Sequence, residues 1–137
     1  MNKIYYLILI LIIFNSCVDI YEDTNEMFKG TWYIEEIKYD TIDYKNYLKT
    51  NLLLFKGNDK ISVPTSLHFM EKDYSSKWSF EIIGKDILLN LKSKNLMFNG
   101  VYHVRFFKEE GLKGIEFKTD TVYIKAYKSE DIKIPRY

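Results

Sequence analysis

Gly30-Thr31-Trp32-Tyr33-Ile34-Glu35-Glu36-Ile37-Lys38-Tyr39 is the first segment of the chain with strand-like alternation. Trp32 and Ile34 share one face of a pleated strand. Ile37 and Tyr39 continue the alternation with its phase slipped by one residue. A slip without a break is what a β-bulge at Glu35-Glu36 produces. The bend and extra twist of a bulge suit a strand that curves around a closing barrel. The other reading ends one strand at Glu36 and begins a second.

Downstream, short alternating segments are divided by turn residues. Leu52 to Lys56 ends at Gly57-Asn58-Asp59. Lys60 to Val63 puts Ile61 and Val63 on one face and stops at Pro64, with Leu67 and Phe69 as an extension or an irregular edge. Trp78, Phe80 and Ile82 share a face before the turn Gly84-Lys85-Asp86. Ile87, Leu89 and Leu91 do so before Ser93-Lys94-Asn95. Tyr102, Val104 and Phe106 oppose His103 and Arg105. After the turn at Glu109 to Gly111, Ile115 and Phe117 oppose Glu116 and Lys118. After Asp120, Val122, Ile124 and Ala126 oppose Tyr123, Lys125 and Tyr127. One apolar and one polar face per strand marks antiparallel sheet with one wet side. About eight such strands with short turns predict an all-β fold, a single antiparallel up-and-down barrel over residues 30–128. Residues 129–137 read as a C-terminal tail.

Residues 40–51 interrupt this rhythm. Tyr44, Tyr47 and Leu48 sit at i, i+3 and i+4, the spacing of one amphipathic helical turn, and Asp43 is placed to cap it. Tyr44 and Tyr47 are the candidate lid over a barrel mouth, or an ordinary loop packing its tyrosines on the rim.

The inward candidates are large. An eight-stranded barrel has an interior just wide enough for side chains or one small ligand. Trp78, Phe80, Tyr102 and Phe106 are the candidate ligand-lining residues, with plain core as the alternative. On the middle strands only Tyr102 brings a polar group inward. Any occupant would therefore be an uncharged apolar molecule, or an acyl chain with its head at the mouth, because an unpaired buried charge is costly.

Composition supports one domain in 137 residues. An aromatic content of 17% favours strands, and only two prolines and six glycines argue against a disordered chain. Without Lys3, which lies in the leader, the 20 basic residues become 19 against 19 acidic ones, a formal charge of zero. Basic and acidic residues are interleaved, so the electrostatic footprint of a nucleic-acid binder is missing. His68 and His103 read as surface histidines, and no metal site is expected. No nucleophile, base and orienting group are placed together by any motif. Glu109-Glu110 reads as a solvated hairpin tip. The expectation is a protein that is not an enzyme and carries no cofactor.

The N-terminus is a targeting segment. Lys3 gives a positive start, and Ile4 to Phe14 is an unbroken apolar run. It is too short to span a hydrocarbon core of ~30 Å, which needs about 20 residues, and fits the apolar region of a secretory signal. Asn15, Ser16 and Cys17 follow, Cys17 being the only cysteine. A lone thiol cannot form an intramolecular disulfide. An apolar run, a small residue and then cysteine resemble a bacterial lipoprotein signal. Ser16 matches the small residue. Phe14 and Asn15 depart from the usual Leu-(Ala/Ser) pair and resemble the looser lipoboxes of Bacteroidetes-type bacteria. Asp19, Glu22 and Asp23 are similar to the acidic surface-export signal of such lipoproteins. The resemblance implies a signal peptide at 1–16, lipidation at Cys17 with a diacylglyceryl group and an acyl chain, and attachment to the outer membrane or cell surface. Residues 17–29, polar, acidic and without periodicity, read as an acidic tether between lipid and domain, with a helical turn at Asn25 to Phe28 closing one end of the fold. A multiply acylated cysteine would hold stably, each buried methylene adding ~0.8 kcal/mol.

Gly30 and Trp32 resemble the Gly-x-Trp of the lipocalin family, where the tryptophan plugs the closed end of the barrel. In that family a basic residue after the last strand packs over it, here Arg136 or Lys128. Thr119-Asp120 with Tyr123 is similar to a second lipocalin motif, though late in the chain. The length matches the compact lipocalin-like domains of Bacteroidetes lipoproteins. The resemblance implies a membrane-anchored barrel that binds a small apolar ligand. The alternative is a protein-interaction module, such as an immunity-type or envelope-complex lipoprotein, for which outward Tyr123 and Tyr127 are suited.

Overall fold

The alternating segments become one antiparallel sheet in the computed structural model, which describes residues 20–65 and 76–131. A helix over residues 20–28 (α1) leads into β1 (Gly30–Tyr39) and the two-residue β2 (Ile42–Asp43). Then follow β3 (Leu52–Phe55), β4 (Ile61–Ser62), β5 (Lys77–Ile83), β6 (Asp86–Lys92), β7 (Gly100–Glu109), β8 (Leu112–Lys118) and β9 (Val122–Lys128). The hydrogen-bonded order is β4-β3-β1-β9-β8-β7-β6-β5, with β2 attached to β1. The ends of this path meet. Lys60 bridges Lys77, the Ile61 N–H donates to the Ser76 carbonyl at 3.1 Å, and the Trp78 N–H donates to the Asp59 carbonyl at 2.9 Å. The result is a nearly closed eight-stranded up-and-down barrel, as the alternation predicts. Each strand pairs with its sequence neighbours apart from the small excursion of β2, and β1 pairs with β9 to complete the ring.

The slip in β1 is a bulge. Ile34 pairs with Ala126 and Glu36 with Lys125, so Glu35 has no partner of its own on β9. The bulge lets Trp32, Ile34 and Ile37 all face inward, each 1% exposed or less. Tyr39 does not follow them; it is 41% exposed where β1 turns into β2. The hairpins are tight: Ile83 pairs with Asp86 and Glu109 with Leu112, leaving two-residue loops.

Two stretches differ from the sequence reading. The helical turn expected at Asn25 to Phe28 is present, but it is the end of a longer helix over residues 20–28 where a tether was expected, and its last residue, Phe28, is fully buried. Thr24 and Phe28, one turn apart, are the buried positions of this helix. After β6, the expected turn at Ser93 to Asn95 runs on into a short 3-10 helix, Leu96–Phe98. The Asn95 side chain caps it by accepting from the Met97 N–H at 3.2 Å, and Phe98 is fully buried. The helical turn expected at Tyr44 to Leu48 is present as a 3-10 helix, Lys45–Tyr47. Its N-cap is Tyr44, not Asp43, and no side chain caps it; Asp43, one residue earlier, instead accepts from the Lys45 N–H at 2.9 Å. Leu67, His68, Phe69, Arg136 and the whole leader with Cys17 lie outside the described residues.

Candidate functional site

The barrel end where β1 begins is sealed by groups that meet the last carbonyls of α1. The final C=O groups of a helix lack intrahelical partners. Here the Trp32 indole N–H donates to the Phe28 carbonyl at 2.7 Å, and the Lys128 ammonium donates to the Met27 carbonyl at 3.3 Å. A cation at this helix terminus is also favoured by the helix dipole. Trp32 pairs with Lys128 across β1 and β9, which lays the ammonium over the indole face, 5.0 Å from the ring centroid. Of the two basic residues expected over the tryptophan, Lys128, the last residue of β9, is the one placed there, and Arg136 lies outside the described residues. Gly30 makes room for it. Its φ of +111° is one that side-chain-bearing residues rarely adopt, and a Cβ there would stand 3.3 Å from the Lys128 Cε. Gly30→Ala should destabilise by about 1–3 kcal/mol, the usual range for a residue held in a disfavoured backbone region. A shifted urea midpoint measures this.

The four candidate ligand-lining residues face inward, where Trp78 stacks on Phe80 and Phe106 meets Trp32. Phe28 sits with its ring centroid 5.3 Å from Trp78, 5.3 Å from Phe80 and 5.0 Å from Phe106. Phe55 adds an edge-on contact to Trp78 at 5.1 Å, and Tyr102 packs on Phe117 at 6.3 Å. Trp78, Phe80 and Tyr102 are buried, and Phe106 is half-buried against the same cluster. The Tyr102 hydroxyl donates to the Met97 carbonyl at 2.8 Å, so the inward polar group has its partner. At the other end Tyr44 packs on the core, in ring contact with Tyr47 at 5.3 Å, and Tyr47 is 47% exposed.

The outer face of β7, β8, β9 and β1 carries a different pattern, set by register. Phe107 pairs with Gly114, Gly114 with Tyr127, Tyr127 with Tyr33, and Tyr33 with Leu52 of β3. These residues form one aromatic and apolar row across the strands. The next row inward along the strands is Arg105, Glu116, Lys125 and Glu36, alternating in sign. Gly114 is the gap in the first row, and Phe107 fills it. A Cβ on Gly114 would fall 2.1 Å from the Phe107 ring. The Phe107 ring is held edge-on to Tyr127 at 5.7 Å and has the Arg105 and Lys125 cations 5.4 and 5.3 Å from its centroid.

The charged row is cross-linked. Arg105 bridges Glu116 at 2.8 Å, and the Tyr123 hydroxyl donates to Glu116 at 3.0 Å. Lys125 and the Tyr127 hydroxyl both donate to Glu109, at 3.1 and 2.5 Å. These two donors lower the pKa of Glu109 from its usual value. Beside them a groove of about 490 Å³ is lined by Tyr33, Glu35, Glu109, Leu112, Lys125 and Tyr127. The alternation of the sequence puts Tyr123 and Tyr127 on this face, but the sequence reading left Phe107, Tyr33 and Gly114 without a role. The signal for Phe107 was present: two consecutive phenylalanines, Phe106 and Phe107, must point to opposite faces of a strand.

Alkaline titration tests both environments. Burial pushes Tyr102 up to about 12, and burial followed by the Glu116 carboxylate pushes Tyr123 up to about 12, from 10.0 in each case. A raised acid pKa in the folded state means that the unfolded chain releases its protons first. The stabilisation is complete below pH 10 and is lost as pH rises toward 12. Tyrosinate absorbance should show at least two tyrosines titrating late, and denaturation midpoints should fall over this window. Tyr123→Phe should remove one late tyrosine.

No group of three or more His, Cys, Asp or Glu side chains among the described residues is placed to hold a metal ion. No helix among them is long and apolar enough to cross a membrane. Comparison of the chain with protein-family models, with curated proteins and with solved structures finds no match.

Proposed function

We propose that this chain is a non-enzymatic, lipid-anchored envelope protein that binds a protein partner through the outer face of β7, β8, β9 and β1. The observation that carries the reading is the row Phe107, Tyr127 and Tyr33 beside the row Arg105, Glu116, Lys125 and Glu36. Aromatic side chains and arginine are enriched in protein interfaces, and their rigid rings bind at low entropic cost. A row of alternating charge fixes register and rejects partners with the wrong pattern. The first expectation, an apolar ligand inside the barrel, has less support. Trp78 and Phe80 are in ring contact with each other, these two and Phe106 with Phe28, and Tyr102 with Phe117, so a ligand would compete with these contacts. The leader and Cys17 support the anchor, and incorporation of labelled palmitate, lost in Cys17→Ala, checks it.

A photo-crosslinking amino acid placed at Phe107 or Tyr127 in the producing cell should trap one protein of defined mass. The same group at Val101, exposed elsewhere on β7, should not. Crosslinking that does not distinguish these positions overturns the reading. So does saturable binding of an apolar fluorescent probe, near one per chain, that quenches Trp78; that result would restore the ligand reading.

A further inference from the structure

We propose that Ile20, Tyr21 and Ile83 form a patch that rests on the bilayer holding Cys17, so that the β5–β6 hairpin faces the membrane. The proposal depends on the lipid-anchor reading above. These three side chains are 59%, 54% and 57% exposed, large values for apolar residues that lie together. With Phe80, Glu81 and Ile82 they line an open groove of about 520 Å³. Tyr21 is held in place by stacking on Phe80, ring centroids 4.5 Å apart. The patch is therefore a fixed surface on the barrel, joining α1 to the hairpin.

The length of chain decides what covers it. Ile20 is three residues from Cys17, and a fully extended chain covers at most ~3.3–3.6 Å per residue. Whatever path those residues take, Ile20 lies within about 11 Å of the lipidated residue. The headgroup zone on each side of a bilayer is roughly 5–8 Å deep. An apolar patch on so short a leash sits at the membrane surface or turned away from it in water. Aromatic side chains such as Tyr21 favour the headgroup level, one end apolar and the other wet. Contiguous exposed apolar surface on a soluble domain marks such a contact. Glu81 lines the same groove, and Glu22, exposed, follows Tyr21 in the chain, so the surface it fits is a zwitterionic bilayer, and anionic lipid should weaken the contact.

The test uses the full-length lipidated protein in phosphatidylcholine vesicles that carry a nitroxide quencher at the headgroup. Trp32 and Trp78 are only 1% and 4% exposed and give a constant background. Ile83→Trp places a reporter in the patch. Leu96→Trp places one in the 3-10 helix that follows β6, beyond the strand end opposite the hairpin, on a residue 80% exposed. Tyr21→Trp is a second patch reporter should Ile83→Trp fail to fold. The patch reporters should be quenched several-fold more strongly than Leu96→Trp, and less so when anionic lipid is added. Equal quenching at both ends, in protein that carries palmitate on Cys17, overturns the patch and leaves the anchor standing. Absence of palmitate at Cys17 overturns both.

Discussion

Phe28→Ala is expected to destabilise the barrel by about 3–5 kcal/mol, the range for removing a large buried aromatic. The expectation follows from packing. Phe28 is fully buried and meets Phe55, Trp78, Phe80 and Phe106 at centroid distances of 5.5, 5.3, 5.3 and 5.0 Å. Truncating its ring opens a cavity bounded by four others, and residues on separate strands cannot all collapse into it. Deleting residues 18–28 should cost at least as much. It removes the same ring and leaves the Trp32 indole N–H without the Phe28 carbonyl. A free tether in this segment would make both changes nearly silent. Urea denaturation decides: a loss under about 1 kcal/mol for Phe28→Ala would mean that α1 does not seal the barrel.

The second large effect is at Trp32, where Trp32→Ala should also cost about 3–5 kcal/mol. Trp32 is 1% exposed, donates to the Phe28 carbonyl at 2.7 Å and lies under the Lys128 ammonium. Two milder variants separate these terms. Trp32→Phe keeps most of the packing but leaves a helix-end carbonyl unpaired, for roughly 1–3 kcal/mol. Lys128→Met keeps the aliphatic stem that crosses Gly30 and removes only the charge, so its effect should be the smallest of the three. Should Lys128→Met cost as much as Trp32→Ala, the charge and not the ring would be the main element of the plug. Combining Phe28→Ala with Trp32→Ala should give less than the sum of the single effects, because the two residues share a hydrogen bond and a cavity.

Much of the barrel was legible because strand identity is local. A period of two in hydropathy fixes which face of each segment is buried, and turn residues fix where segments end. Hence Phe80, Leu89, Tyr102, Phe117 and Ile124 could be placed inside from the sequence, and the bulge at Glu35 could be read from a single slip of phase. Of the helix at residues 20–28, only the last turn, Asn25 to Phe28, could. The helix buries only Thr24 and Phe28 while Ile20, Tyr21 and Met27 stay exposed, so it carries no apolar stripe wide enough to register as a 3.6-residue period. Its position comes from one ring entering a barrel whose wall is built much later in the chain.

The sequence by itself determined the all-β class, the strands of the barrel and the inward residues, since each depends on side chains a few positions apart. Only the tertiary structure decided which residues stand side by side. That Lys128 covers Trp32, that Phe107 lies over Gly114 beside Tyr127 and Tyr33, and that Arg105, Glu116, Lys125 and Glu36 form one alternating row all follow from cross-strand register. Register depends on every turn length and on the closure of the ring, and a shift of one residue in any strand would turn its side chains to the other face.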